Sequence, residues 1–137
     1  MMYLLDTDIL SNLMKRSPSS VLVEKLTRVP PEQQSTSSIT LGELVYGARR
    51  LREHTDFLMA KIEDVLLPNL PVLAFGAAAA RRYGGIRTEL ERQGMLMGDA
   101  DMRIAAIALS HGLRVVTANE RHFRRVPGLE TENWLEG

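Results

Sequence analysis

The sequence predicts an α/β domain with a central, mostly parallel sheet of about five strands and helices on both faces. Three observations carry this reading. Short strand-like runs recur at 2–5, 34–39, 71–75 and 113–117, and longer stretches with helical spacing separate them. Strands joined through helices pair in parallel, and a parallel sheet is covered on both faces. At 137 residues the chain has the size of one domain, and 1–137 is read as a single unit.

The elements follow in order. Residues 2–5 form a short buried strand that stops at Asp6, and residues 8–16 are helical. Pro18 then opens a second helix through about Arg28, with Ser17 as its candidate cap. Pro30-Pro31 breaks the chain before a Ser/Thr-rich strand from Gln34 to Ile39. A helix spans about Leu41 to Glu53, and another starts at Thr55 or Asp56 and ends at Pro68. Pro71–Phe75 is a weakly signalled third strand. An Ala-rich helix runs from Gly76 to Gln93, with Gly84-Gly85 expected to soften or kink its middle. Residues 100–111 make a strongly apolar helix that His111-Gly112 ends, and Leu113–Thr117 is the clearest strand in the chain. The tail adds a short edge strand near 129–132, and Trp134 with Leu135 pins it to the body.

Composition excludes several classes. There is no Cys, so disulfides and thiolate metal sites are absent and a reducing compartment fits. Apolar runs fall far short of the ~20 residues that span a bilayer, and no signal-peptide pattern opens the chain. A soluble cytoplasmic protein without membrane partners is expected. The net charge is zero, yet arginines cluster at 49–52, 81–92 and 121–125. The pairs Arg81/Arg82 and Arg124/Arg125 are candidate phosphate contacts, because a guanidinium binds two oxygens at once; a solvated helix face explains each cluster equally well.

The acids carry the chemistry. In open parallel sheets ligands bind beyond the carboxyl ends of the strands, near the point where strand order reverses. Asp6 and Asp8 follow the first strand. Glu43 opens the helix after the second, Asp99 and Asp101 open the helix before the fourth, and Thr117, Asn119 and Glu120 follow it. Each acid alone is as readily a helix cap as a ligand, and Thr40-Leu-Gly-Glu43 has the pattern of a capping box. Gathered at one rim they would repel one another unless a cation or protons relieved them. Carboxylates without Cys suit Mg²⁺ or Mn²⁺ rather than zinc. His54, His111 and His122 form no metal motif and are read as surface, terminal or loop residues. Carboxylate-held Mg²⁺ commonly meets phosphate, so phosphodiester hydrolysis is the chemistry expected first. No P-loop and no GxGxxG motif is present.

Three separated segments then carry a resemblance: MYLLDTDILSNLMK, SSITLGELVYGA and GDADMRIAAIALSHGLRVVTANERHFRRVPGLETENW. They resemble PIN-domain proteins, particularly the VapC-type toxins of bacterial toxin–antitoxin pairs, and the likeness covers nearly the whole chain. The resemblance implies a five-stranded parallel sheet and a Mg²⁺- or Mn²⁺-dependent endoribonuclease acting on tRNA or rRNA. It also implies a cognate VapB-like antitoxin that blocks the site, and commonly a homodimer. Carried over residue by residue, it makes Asp6, Glu43 and Asp101 the metal ligands. Thr117 and Asp8 become supports, and Asp99 a cap or an extra charge at the edge of the site. Val45, Tyr46, Leu51, Phe57 and Leu58 would line part of the antitoxin groove.

One position departs from the family pattern. Many PIN domains carry Asp two residues after the Thr, where this chain has Asn119. An amide oxygen can coordinate or orient water but brings no charge, which weakens a second metal position. Asn119 is retained as a catalytic candidate, with Glu120 as an adjacent compensating acid. Two rivals stand beside the nuclease: a binding or regulatory module with little activity, and a phosphoacceptor signalling domain. The second lacks the Lys it needs, since none occurs beyond Lys61.

Overall fold

The computed structural model describes residues 1–136. Five strands, β1 (Tyr3–Leu5), β2 (Gln34–Ser37), β3 (Val72–Leu73), β4 (Arg114–Val116) and β5 (Thr131–Glu132), form one sheet in the order β3-β2-β1-β4-β5, with every pair parallel. The helices are α1 (Thr7–Leu13), α2 (Ser20–Arg28), α3 (Ser38–Arg50), α4 (Thr55–Ala60), α5 (Ala77–Gln93), α6 (Asp99–His111) and α7 (Glu120–Phe123).

Alternation along the central strands splits the core in two. Leu4 and Val115 face one layer with Ile86, Leu90, Ile104, Ile107 and Phe123 from α5, α6 and α7. Leu5 and Val116 face the other with Ile9, Leu22, Leu44 and Ile62 from the earlier helices, together with Trp134. Trp134 meets Tyr3 edge-on at 5.0 Å and donates its indole N–H to Glu132 Oε1 at 3.0 Å, so the tail is pinned as expected.

β2 is polar in sequence yet sits inside the sheet. Its hydroxyls are buried because they find acceptors on β1: Ser35 Oγ donates to the Tyr3 carbonyl at 2.8 Å and Thr36 Oγ1 to the Leu5 carbonyl at 2.7 Å. A buried hydroxyl without a partner would cost ~1–3 kcal/mol, so this pairing is what admits the strand.

The structure corrects four local expectations. Ser19, not Ser17, caps α2, its hydroxyl accepting from the Leu22 amide. Ser37 caps α3 by accepting from the Thr40 amide at 3.0 Å, which leaves Glu43 outside any capping box. α5 is continuous through Gly84-Gly85, because Ala79, Ile86 and Leu90 bury one face and offset the ~1 kcal/mol per glycine. A one-turn helix, α7, occupies the loop after β4. Gly112, at φ 66°, ends α6 as expected.

Candidate active site

The strand order reverses between β1 and β4: β2 and β3 extend one way from β1, and β4 and β5 the other. The register Leu5↔Val116 brings the next residues, Asp6 and Thr117, side by side although 111 positions separate them. Asp6 is only 6% exposed. It caps α1, Oδ1 accepting from the Thr7 amide at 2.8 Å, while Oδ2 accepts from Thr117 Oγ1 at 2.8 Å.

Asp8, in the first turn of α1, reaches the same point. Its Oδ2 accepts from the Ala118 amide at 3.0 Å, and its Oδ1 is buried with no hydrogen-bond partner among the described residues. Thr7 Oγ1 donates to Glu43 Oε1 at 2.6 Å and lies 3.1 Å from Thr40 Oγ1, which ties α3 to α1. Asp101, in the first turn of α6, is partly buried, and its Oδ2 lies 3.9 Å from His122 Nδ1. Asn119 donates its amide N–H to Thr117 Oγ1 at 3.0 Å and its side-chain Nδ2–H to His122 Nδ1 at 2.8 Å.

The acids feel one another. Burial pushes the Asp6 carboxyl up to about 7, and the charges of Asp8 and Asp101 add to it against the Thr117 and Thr7 hydrogen bonds. Burial also raises Asp101, helped by Glu43 and Asp8 and opposed by His122. Asp6, Asp8, Glu43 and Asp101 therefore share one field of negative charge, as the sequence led us to expect. A strongly shifted carboxyl such as Asp6 at a strand rim is where a functional site is sought.

The oxygen-only donor set and the orphaned Asp8 Oδ1 suit a hard divalent cation. Among the described residues no three His, Asp or Glu side chains are gathered tightly enough to hold an ion by themselves.

Other expected residues are placed differently. Asp99 does not join the cluster or cap α6. It takes hydrogen bonds from the Tyr83 hydroxyl and, at 2.8 Å, from Arg103, and Gly98 is the capping residue. Arg81 and Arg82 line a surface depression of about 280 Å³ with Ile86 and Pro127, and among the described residues neither forms an ion pair. Arg124 pairs with Glu120 at 3.1 Å, and Arg125 donates to the Leu96 carbonyl at 3.3 Å. Glu120 is thus engaged with Arg124 and with the Thr131 hydroxyl at 2.7 Å.

His122, read from the sequence as a surface or loop residue, is 41% exposed at its side chain and lies on α7 beside Asn119. Its three-residue spacing from Asn119 puts the two on one turn once α7 is known. A groove of about 340 Å³ runs from Glu43 past Met14, Ala48, Leu51 and Leu58 between α1, α3 and α4. Tyr46 and Phe57, on the same helices, are 68% and 61% exposed.

The PIN domain family model matches residues 3–129. Ribonuclease VapC2 of Haemophilus influenzae is 41% identical over 97% of this chain and 98% of its own. The tRNA(fMet)-specific endonuclease VapC of Shigella flexneri is 41% identical over 96% and 97%. A chain in the crystal structure of DNA-bound VapBC from Salmonella typhimurium superposes with a TM-score of 0.89 at 36% identity, over 98% of both chains. A family match across nearly all of the chain, relatives of this identity, and acids converging where the sheet reverses agree: the chain belongs to the PIN domain family.

Proposed function

We propose that this protein is a ribonuclease toxin of a toxin–antitoxin pair, acting in the cytoplasm and using Mg²⁺ or Mn²⁺ to hydrolyse RNA phosphodiester bonds. The observation that carries the reading is that Asp6 meets Thr117 and Asp8 at the β1/β4 switch point, with Glu43 tied to Thr7 beside them and Asp101 close enough for the acids to raise one another's carboxyls. Asp6, Glu43 and Asp101 would hold the cation, directly or through bound water, and when bound it supplies charge for the scissile phosphate and lowers the pKa of a water.

The chain's own groups prepare that chemistry. Thr117 and the Thr7 amide fix both Asp6 oxygens, so the carboxylate arrives oriented. Thr7 fixes Glu43, and Asp8 braces the turn after β4 through the Ala118 amide. Such preset groups lower the barrier because they need no rearrangement during the reaction.

The relative named as a tRNA(fMet)-specific endonuclease makes tRNA the first substrate class to test, with rRNA second. The groove between α1, α3 and α4, which begins at Glu43, suits an amphipathic segment of a VapB-like antitoxin, and a homodimer fits the same reading. Purified protein free of partner should cut a total-tRNA mixture into discrete fragments with Mn²⁺ or Mg²⁺. EDTA should abolish the fragments, and so should Asp6→Asn. Cleavage that persists in EDTA and in the variant would refute the reading.

A further inference from the structure

We propose that His122 is a positioning residue that makes Asn119 an oxygen donor toward the acid cluster. This rests on the metal-nuclease reading above. An Asn side chain presents two unlike ends, an acceptor oxygen and a donor NH2, and only the oxygen suits a cation or the acceptor side of a bound water. Asp needs no such choice, because its two oxygens are alike. A chain with Asn at this place therefore needs something to set the amide.

The geometry supplies it. Asn119 is the residue that starts α7, and His122 lies one turn on, with its amide N–H donating to the Asn119 carbonyl at 3.2 Å. Residues three apart on a helical turn share a face. With the ring neutral and its proton on Nε2, His122 Nδ1 accepts from the Asn119 Nδ2–H at 2.8 Å. With its NH2 tied to the ring, the amide turns Oδ1 to its other corner. The backbone holds the same residue from behind, through its N–H to Thr117 Oγ1, the hydroxyl that also donates to Asp6. The same ring nitrogen lies 3.9 Å from Asp101 Oδ2, too far for a hydrogen bond. His122 is 41% exposed at its side chain, so its replacement leaves the core intact.

Residues that orient a metal's ligands typically change affinity or activity by ~10–100-fold when replaced. The test is Mn²⁺ affinity by titration calorimetry, with kcat/KM on tRNA beside it and thermal melting as the folding control. His122→Ala should weaken Mn²⁺ binding by ~10-fold or more. His122→Gln, whose amide oxygen can accept from the same NH2, should restore much of the loss. In an Asn119→Asp background, where no amide needs setting, His122→Ala should change Mn²⁺ affinity by less than ~3-fold; that background dependence is the coupling a double-mutant cycle reads.

Equal Mn²⁺ affinity in wild type and His122→Ala would overturn the proposal. So would an equal loss in both backgrounds, which would make Asp101 the group that His122 serves. Wild-type protein that bound no Mn²⁺ would overturn the metal reading itself, and this inference with it.

Discussion

Asp99 and Asp101 stand two residues apart at the start of one helix, and their surroundings are opposite. Asp99 is half exposed and compensated: Tyr83 and Arg103 hydrogen-bond it, Arg87 lies 4.0 Å away, and Arg103 stacks over Phe75 and Tyr83 at 5.3 and 5.4 Å. The Tyr83 hydrogen bond and those arginines hold its carboxyl below the usual range. Asp101 is more buried and faces other acids, and its carboxyl is raised. Two identical side chains thus make an ordinary surface ion-pair network on one side of α6 and part of an acid-lined rim on the other. An acid marks a site when its charge is left uncompensated, whatever its place in a motif.

The largest expected effect separates the two directly. Asp101→Asn should lower ribonuclease activity by at least ~100-fold, the size typical of losing a preset charged group, whereas Asp99→Asn should stay within a few-fold of wild type. Equal losses in the two variants would erase the distinction.

The second effect is a pH dependence at Asp6. Its carboxyl moves from an ordinary 3.8 to about 7 on folding, so the folded chain takes up that proton more readily than the unfolded one. Stability from this group is then greatest at low pH and is lost as pH rises from about 4 through about 7. In metal-free buffer, Asp6→Asn should gain on wild type by roughly 2–3 kcal/mol between pH 5 and pH 8, because a tenfold change in proton affinity is worth ~1.4 kcal/mol. A pH-independent difference in urea midpoints would contradict the placement of Asp6 among like charges.

The smallest effect is at the compensated end. Arg103→Ala should cost less than ~1 kcal/mol in urea unfolding, because exposed ion pairs contribute little. A larger loss would mean that the Phe75–Tyr83–Arg103 stack serves as core rather than surface.

The sequence made the fold class and most of the rim legible, because apolar runs and turn residues locate strands and helices locally. β2 was found despite its hydroxyls, although its burial depends on carbonyls of β1 that no local pattern reveals. The pairing of Asp6 with Thr117 comes from the parallel register of β1 and β4; family resemblance anticipated Thr117 as a support of the site but not its partner. Glu43 looked like half of a capping box because the pattern was right; Ser37, three residues before Thr40, already had the role. Asp99 and Asp101 could not be told apart by capping rules, since the distinction is made by Tyr83 and Arg103 packing from outside the motif. The contact of His122 with Asn119 was not legible because α7 is four residues long, too short to leave a periodic signal.

The most direct test of the uncompensated rim is the shift in melting temperature on adding Mn²⁺ at pH 7.5 to wild type, Asp101→Asn and Asp99→Asn. Ligand at a hundred times its Kd stabilises by ~2.7 kcal/mol, or roughly 5–10 °C for a chain of this size. Wild type and Asp99→Asn should both show that rise, and Asp101→Asn should lose most of it. A rise of equal size in all three proteins would place the cation elsewhere and contradict the account.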